Sequence, residues 1–403
     1  MKAIKRLYCR AYQLAFRAAL PVLPYRQPRL LDHLHEIAPL LRARQVSSVL
    51  LVADAGVRSL GLTAALEESL SKAHIACAVY EQRTPNPTIA NVEEARAMYV
   101  NGRAQAIIAV GGGSAMDCAK VAGARIARPN KPVQKMRGLL RILRRTPLMI
   151  AVPTTAGTGS ETTLAAVITD SETHYKYPIN DFALIPDYAV IDAELTVGLP
   201  PQITATTGMD ALTHAVEAYI GRSTNRLTRA MAEEAVGLIA RNLQTAYRDG
   251  GNLEARQHML RAAYCAGIAF TRSYVGYVHG IAHSLGGQYG IAHGLANAVI
   301  LPHMLRRYGA SCSAKLARLA EIAGLVPPGT EKAAAAERFM DWVEAMNESF
   351  GLPTGFVQIR EEDIPRMARR ADRESNPLYP VPLLMDQQEL ETVYHELMRK
   401  EEA

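Results

Sequence analysis

A rhythm in the first half of the chain limits the fold more than any other feature. Short runs of Val, Ile, Leu and Ala recur at Ser48–Ala53, Ala76–Tyr80, Ala106–Val110, Leu148–Val152 and Ala189–Asp192. Each is bounded by turn or polar residues. Near-continuous apolar runs of this length suit strands buried on both faces. Between them lie stretches with helical spacing, such as Gly61–Ala73 and Asn91–Asn101, and a proline-broken turn at Thr84–Thr88. Strand, helix, strand, helix predicts a doubly wound α/β domain with a parallel sheet.

After about residue 203 the rhythm changes. Apolar residues recur at helical spacing through 206–220, 228–246, 254–270, 294–306, 313–323, 331–348 and 384–398, with Pro-Pro pairs at 200–201 and 327–328. No further strand is predicted. The chain reads as a basic arm (1–31), a dinucleotide-type α/β domain (32–203) and an all-α domain (204–403). At 403 residues, 49% hydrophobic and 21% charged, it can bury a large core without staples. That composition excludes collagen, coiled coil and disorder. No apolar run reaches the roughly 18 residues of a membrane span. Cys9, Cys77, Cys118, Cys265 and Cys312 are scattered and form no CxxC, which predicts a reducing, cytoplasmic setting.

The net charge of +6 is unevenly placed. Residues 1–31 hold Lys2, Lys5, Arg6, Arg10, Arg17, Arg26 and Arg29 and no acid. A second acid-free stretch runs from Lys131 to Arg145. Local basicity without interleaved stacking aromatics does not predict a nucleic-acid partner. In the arm, Ile4, Leu7, Tyr8, Ala11, Leu14, Ala15 and Ala18 follow helical spacing, with the cations mostly off that face. Three readings stay open. The helix packs on the body or a partner subunit; residues 1–20 dock on a membrane surface or in an assembly; or the arm is a cleaved targeting segment, although it lacks an unbroken apolar core and a small-residue cleavage site.

Two loops after predicted strands could hold phosphate. The first is Gly111-Gly112-Gly113-Ser114, with Asp117 and Lys120 on the helix that follows. Glycines let backbone N–H groups approach an anion, and a helix N-terminus favours negative charge. An ordinary glycine turn would look the same. The second loop, Pro153–Glu161, sets the hydroxyls of Thr154, Thr155 and Thr158 beside glycines. Together the loops fit one dinucleotide over the carboxyl edge of a Rossmann-like sheet. Asp54, closing the first of the predicted strands, could accept from a ribose 2′-hydroxyl and would repel a 2′-phosphate, which favours NAD.

The helical half carries a histidine constellation. Asp210 and His214 are four apart, as are His279 and His283, and His293 follows. On helices each pair shares a face. A carboxylate with several imidazoles suits Zn²⁺ or Fe²⁺ rather than Mg²⁺ or Ca²⁺. Gly280 stands where a metalloprotease HExxH motif needs its Glu. Satisfied core histidines are the competing reading. His303 is a decoy candidate, and His33, His35, His74 and His258 have no phased partner.

Together these residues resemble the iron-containing (group III) alcohol dehydrogenase family from about residue 45 to 380. The likeness rests on GGGSAMDCAK (111–120), PTTAGTGSE (153–161), GMDALTHAVEAY (208–219), HGIAHSLGGQYGIAHG (279–294) and the NPL at Asn376. It implies a Rossmann-like domain, a helical domain and a metal in a cleft. Asp210, His214, His279 and His293 fall on its metal-ligand positions. His283 falls near the nicotinamide, where HxxxH phasing suggests a proton relay. Asp54, Gly112, Gly113, Ser114, Asp117, Thr154, Thr155, Thr158 and Lys176 fall on cofactor-lining positions. The implied cofactors are NAD and Fe²⁺ (or Zn²⁺), and the implied assembly is a homodimer. The implied reaction is hydride transfer between a small primary alcohol, or a diol, and NAD. Arg272 stands where Phe270-Thr271-Arg272-Ser273 usually carries asparagine. Ala165 replaces a polar residue of some relatives, and the basic arm is longer than in many members. Phe270, Arg272 and Ala165 are therefore the candidate substrate residues, with a surface salt bridge the competing role for Arg272. Two other functions compete: a dehydroquinate-synthase-like NAD/metal lyase, and a non-catalytic member acting through its arm.

Overall fold

Four of the apolar runs form buried strands, whereas the run from Ala76 forms a partly exposed strand at the sheet edge, where only one side has a neighbour. The computed structural model describes residues 1, 3–84, 86–171 and 175–399, the side chains of 175 and 176 excepted. The chain forms two compact units: Pro24–Leu199 with Gly250–Gly267, and Met1–Leu23 with Pro200–Asp249 and Ile268–Ala403. Numbered along the chain, the first helix is α1 (Ala3–Ala19).

The sheet unit contains β1 (Arg29–Leu31), α2 (Ile37–Ala43), β2 (Ser48–Asp54), α3 (Ala55–Ser59), α4 (Ala64–Lys72), β3 (Ala76–Gln82), α5 (Ile89–Asn101) and β4 (Ala106–Gly111). It continues through α6 (Gly113–Ala127), β5 (Gly138–Leu139), β6 (Leu148–Pro153), β7 (Ala165–Asp170), β8 (Tyr175–Asn180) and β9 (Tyr188–Val190). Six strands run parallel in the order β1-β9-β6-β4-β2-β3. Alternate residues feed two cores. Leu50, Val52, Ile107 and Ala109 join Val92 of α5 and Met116 of α6 on one face. Val49, Leu51, Ile108 and Val110 join Leu41 of α2 and Leu66 of α4 on the other. Each such side chain contributes about 1.5–3 kcal/mol by leaving water. From β2 the chain steps outward to β3, then returns to place β4 on the other side of β2. The carboxyl ends of β2 and β4 therefore flank the switch point, where open α/β sheets leave a crevice for ligands.

A second sheet, β5-β8-β7, was not foreseen. Its central strand β8 contains Lys176 and Pro178, residues that argue against a strand in sequence. β1 is only three residues long, and the last predicted strand begins at Tyr188 rather than Ala189.

The helical unit comprises α7 (Pro201–Ile220), α8 (Arg226–Arg248), the end of α9 (Leu253–Ser273), α10 (Tyr277–Tyr289) and α11 (His293–Tyr308). It continues with α12 (Ser313–Ile322), α13 (Lys332–Ser349), α14 (Ile364–Ser375) and α15 (Gln387–Leu397). Helix α7 starts on Pro201, whose missing N–H costs nothing in a first turn. It is buried on every side from Gly208 to Ile220 and packs against α8 and α11. Helix α10 packs against α11 and α14.

Helix α1 packs with the face opposite to its apolar stripe. Cys9 and Gln13 are buried. Gln13 donates to the Tyr379 carbonyl at 2.7 Å, Arg10 donates to the Val381 and Pro382 carbonyls, and Phe16 sits edge-on to Tyr274. Ile4, Leu7, Tyr8 and Leu14 stay exposed. Among the described residues no helix is long and apolar enough to cross a membrane.

Candidate metal and nucleotide sites

The metal candidates all lie in the helical unit. Helix α7 presents Asp210 and His214 one turn apart, α10 supplies His279, and His293 opens α11. Each offers one ligand atom, and the four atoms lie within 4.8 Å of one another. A Cβ on Gly294 would fall 2.6 Å from the Thr206 carbonyl. Only glycine lets the start of α11 come this close to α7, which brings His293 toward Asp210. Asp210, His214 and His279 are buried, whereas the His293 side chain is 38% exposed. The His214 ring stacks on Phe270 at 4.1 Å and on His279 at 4.5 Å.

Three observations fit a bound cation. Burial, with the neighbouring imidazoles His214, His293 and His283, pulls the His279 pKa far below its ordinary value. The ring is neutral and can offer a lone pair. Glu217 orients it: the carboxylate lies 2.7 Å from His279 Nδ1 and accepts from the Gly276 and Val278 backbone N–H groups at 2.8 and 2.9 Å. A proton on Nδ1 leaves Nε2 free to face the cluster. Burial pushes the Glu217 carboxyl up to about 7 against the pull of those N–H groups. The Asn297 amide nitrogen lies 2.6 Å from Asp210 Oδ1, 3.0 Å from His293 Nε2 and 3.2 Å from His279 Nε2. Its oxygen is buried with no hydrogen-bond partner among the described residues. Acceptors from three helices thus converge on one point.

His283 lies one turn beyond His279 on α10. Its ring stacks 5.2 Å from that of His293, and its Nδ1 is 2.5 Å from Glu374 Oε1, which also accepts from the Tyr379 hydroxyl at 2.8 Å. Burial pushes the Glu374 carboxyl up, but His283 and Tyr379 outweigh it and hold the carboxyl below its ordinary value. His303 instead faces the Thr354 carbonyl.

In the sheet unit, the nucleotide candidates gather at the switch point. Asp54 ends β2 and accepts from the Gly112 N–H at 2.9 Å. Gly111 has φ +152°, and a Cβ there would lie 2.3 Å from Asp54 Oδ2, so the position requires glycine. Burial raises the Asp54 pKa against the pull of the Gly112 N–H. Gly113 and Ser114 open α6. Thr154 is buried and donates its N–H to the Gly111 carbonyl. Thr155 and Thr158 lie beside Gly112 and Gly113.

Asp117 and Lys120 serve the scaffold. Asp117 accepts from the Ser160 hydroxyl and the Val167 N–H. Lys120 Nζ donates to the Ser160, Thr163 and Ala165 carbonyls and to two hydroxyls, all at 2.6–3.1 Å. Burial lowers its pKa to about 8. Ala165 opens β7. The Lys176 side chain lies outside the described residues; its backbone pairs with Thr169.

Sequence reasoning passed over Glu217, Asn297 and Glu374. Glu217 had a usable signal: Asp210, His214 and Glu217 repeat at i, i+4 and i+7, one helix face.

Residues 31–193 match the family described as iron-containing alcohol dehydrogenase, and residues 204–398 match the C-terminal part of the Fe-containing alcohol dehydrogenase family. The chain belongs to the iron-containing alcohol dehydrogenase family. It is 36% identical over 338 residues to the NAD-dependent methanol dehydrogenase of Bacillus methanolicus, covering 83% of this chain and 88% of that protein. It is 37% identical over 352 residues to the 1,3-propanediol dehydrogenase of Klebsiella pneumoniae, covering 86% and 90%. A solved structure of 1,3-propanediol oxidoreductase superposes with a TM-score of 0.88 at 35% identity, covering 93% of this chain and 99% of that one. This iron-containing alcohol dehydrogenase is therefore an NAD-linked, metal-dependent enzyme that interconverts alcohols and aldehydes. The lyase and non-catalytic readings are not favoured.

Proposed function

We propose that Asp210, His214, His279 and His293 hold the divalent metal, and that the substrates are small primary alcohols or diols and their aldehydes. The supporting observation is the four ligand atoms within 4.8 Å, three of them on buried residues. Bound there, the metal supplies Lewis acidity toward a hydroxyl or carbonyl oxygen, and NAD supplies the hydride acceptor. Asp210, His214 and His279 give a fixed, water-poor base to the site. The exposed side, at His293, admits substrate. Phe270, stacked on His214, supplies an apolar wall suited to a short carbon chain. Arg272, two residues on, is assigned to a polar group of the substrate. His283, whose Nδ1 is held by Glu374, is assigned the released proton. Asp54 takes the ribose 2′-hydroxyl, and Gly112, Gly113, Ser114, Thr154, Thr155, Thr158 and Lys176 line the nucleotide, with Asp117 holding the loop behind them. A homodimer in the cytoplasm completes the reading; five free cysteines agree with a reducing compartment.

The test is alcohol-dependent NADH formation on purified enzyme with metal content measured in the same sample. Chelation and His279→Ala each abolish it while the fold persists; turnover by metal-free His279→Ala enzyme would end the proposal. His283→Gln lowers turnover and alters its pH profile, and an unchanged profile removes the relay role. Asp54→Gly raises the use of NADP relative to NAD; no change counts against the 2′-hydroxyl contact.

A further inference from the structure

Helix α1 presents an apolar stripe to solvent that the reaction does not use. Ile4 is 85% exposed, Leu7 72% and Leu14 67%, with Tyr8, Ala11, Ala15 and Ala18 between them, and Val22 in the next turn is 82% exposed. Their spacing puts them on one side of the helix. The matched family region begins only at residue 31, so this helix lies outside it. The helix is held from behind by Cys9, Gln13 and Phe16, which fixes the stripe outward.

The charges around the stripe identify its partner. At helical spacing, Lys5 lies beyond one border and Arg6 and Arg17 beyond the other, while Arg10 is turned back to the Val381 and Pro382 carbonyls. Residues 1–31 contain no acid. Among the described residues, the acids paired with the segment are Asp372, Asp386, Glu389 and Asp187, met by Lys5, the Met1 amino group and Arg26. Arg6 and Arg17 are exposed. An apolar face with a cationic rim on a helix too short and too charged to span a bilayer suits the plane of a membrane interface. Cations there attract anionic headgroups. A twofold contact between two copies of this face would bring the Arg6 and Arg17 side chains of both copies to one interface, with no acid in the segment to answer them. The geometry points to the outward face of α1 as a docking surface for an anionic lipid bilayer. The aliphatic side chains enter the headgroup boundary, and the arginines meet phosphate.

The experiment uses the full-length enzyme with vesicles of phosphatidylcholine alone and of phosphatidylcholine with phosphatidylglycerol. The enzyme co-sediments with the anionic vesicles, not the neutral ones, and salt releases part of it. A triple variant, Ile4→Glu, Leu7→Glu and Leu14→Glu, and a double variant, Arg6→Glu and Arg17→Glu, each lower partitioning by roughly tenfold or more. Both keep alcohol-dependent NADH formation and their mass by light scattering, which shows intact folding and assembly. Three results overturn the proposal: no binding of the wild type to anionic vesicles, equal binding by the variants, or loss of a subunit in the triple variant. The last would assign the stripe to a second copy.

Discussion

Two oxygens of Glu217 meet the Gly276 and Val278 N–H groups and the His279 ring. A glutamine has one acceptor oxygen and would turn an NH₂ group toward donors. Glu217→Gln should cost about 1–3 kcal/mol for each buried donor left unpaired, seen as a lower midpoint of chemical unfolding. It should also loosen metal binding by roughly 10–100-fold, read by competition with a chromogenic chelator. Unchanged metal affinity would show that the His279 ring needs no help in holding its tautomer. The residue types and the i, i+4, i+7 spacing of Asp210, His214 and Glu217 were legible in sequence. That the carboxylate at i+7 turns to a histidine 62 residues away was not, because the contact exists only once α7 and α10 pack.

At the scale of elements, close approach decides more than propensity. In the sheet unit, a Cβ on Gly267 of α9 would lie 2.1 Å from Thr162 Oγ1 and 2.9 Å from the Gly159 carbonyl. Gly267→Ala must therefore displace the second glycine loop or the helix, at about 1–3 kcal/mol. The expected result is reduced thermal stability and weaker NAD binding by fluorescence titration. Wild-type values for both would mean that the loop yields freely. Periodicity predicted the amphipathic helices well. It passed over α10, buried along most of its length and rich in glycine, and α14, whose Arg-rich sequence hides a narrow apolar edge. The arm's apolar stripe is legible in sequence, but its orientation is not: hydrogen bonds from Gln13 and Arg10 tie down the opposite face.

Across the whole molecule, each compact unit carries its own candidate site. A ligand that binds only the folded state stabilises it by RT ln(1 + [L]/Kd), about 2.7 kcal/mol at a hundredfold excess over Kd. Added Fe²⁺ or Zn²⁺ should therefore raise the unfolding temperature of the wild type and leave that of His279→Ala almost unmoved; an equal rise in both would place the stabilising metal elsewhere. Unit membership follows contacts rather than chain order. The Gly250–Gly267 segment belongs with the sheet, where Tyr264 donates to the Pro28 carbonyl and Gln257 to that of Ile191. By itself the sequence determined the buried parallel strands, the helical second half, the two glycine loops and the set of residues able to bind metal, because period and residue type are local properties of a chain. Tertiary structure alone decided that Asp210 and the three histidines share a point, that Lys120 and Asp117 brace the second glycine loop, and which side of α1 faces water. Each of these depends on distances between segments far apart in the chain, and only packing sets those.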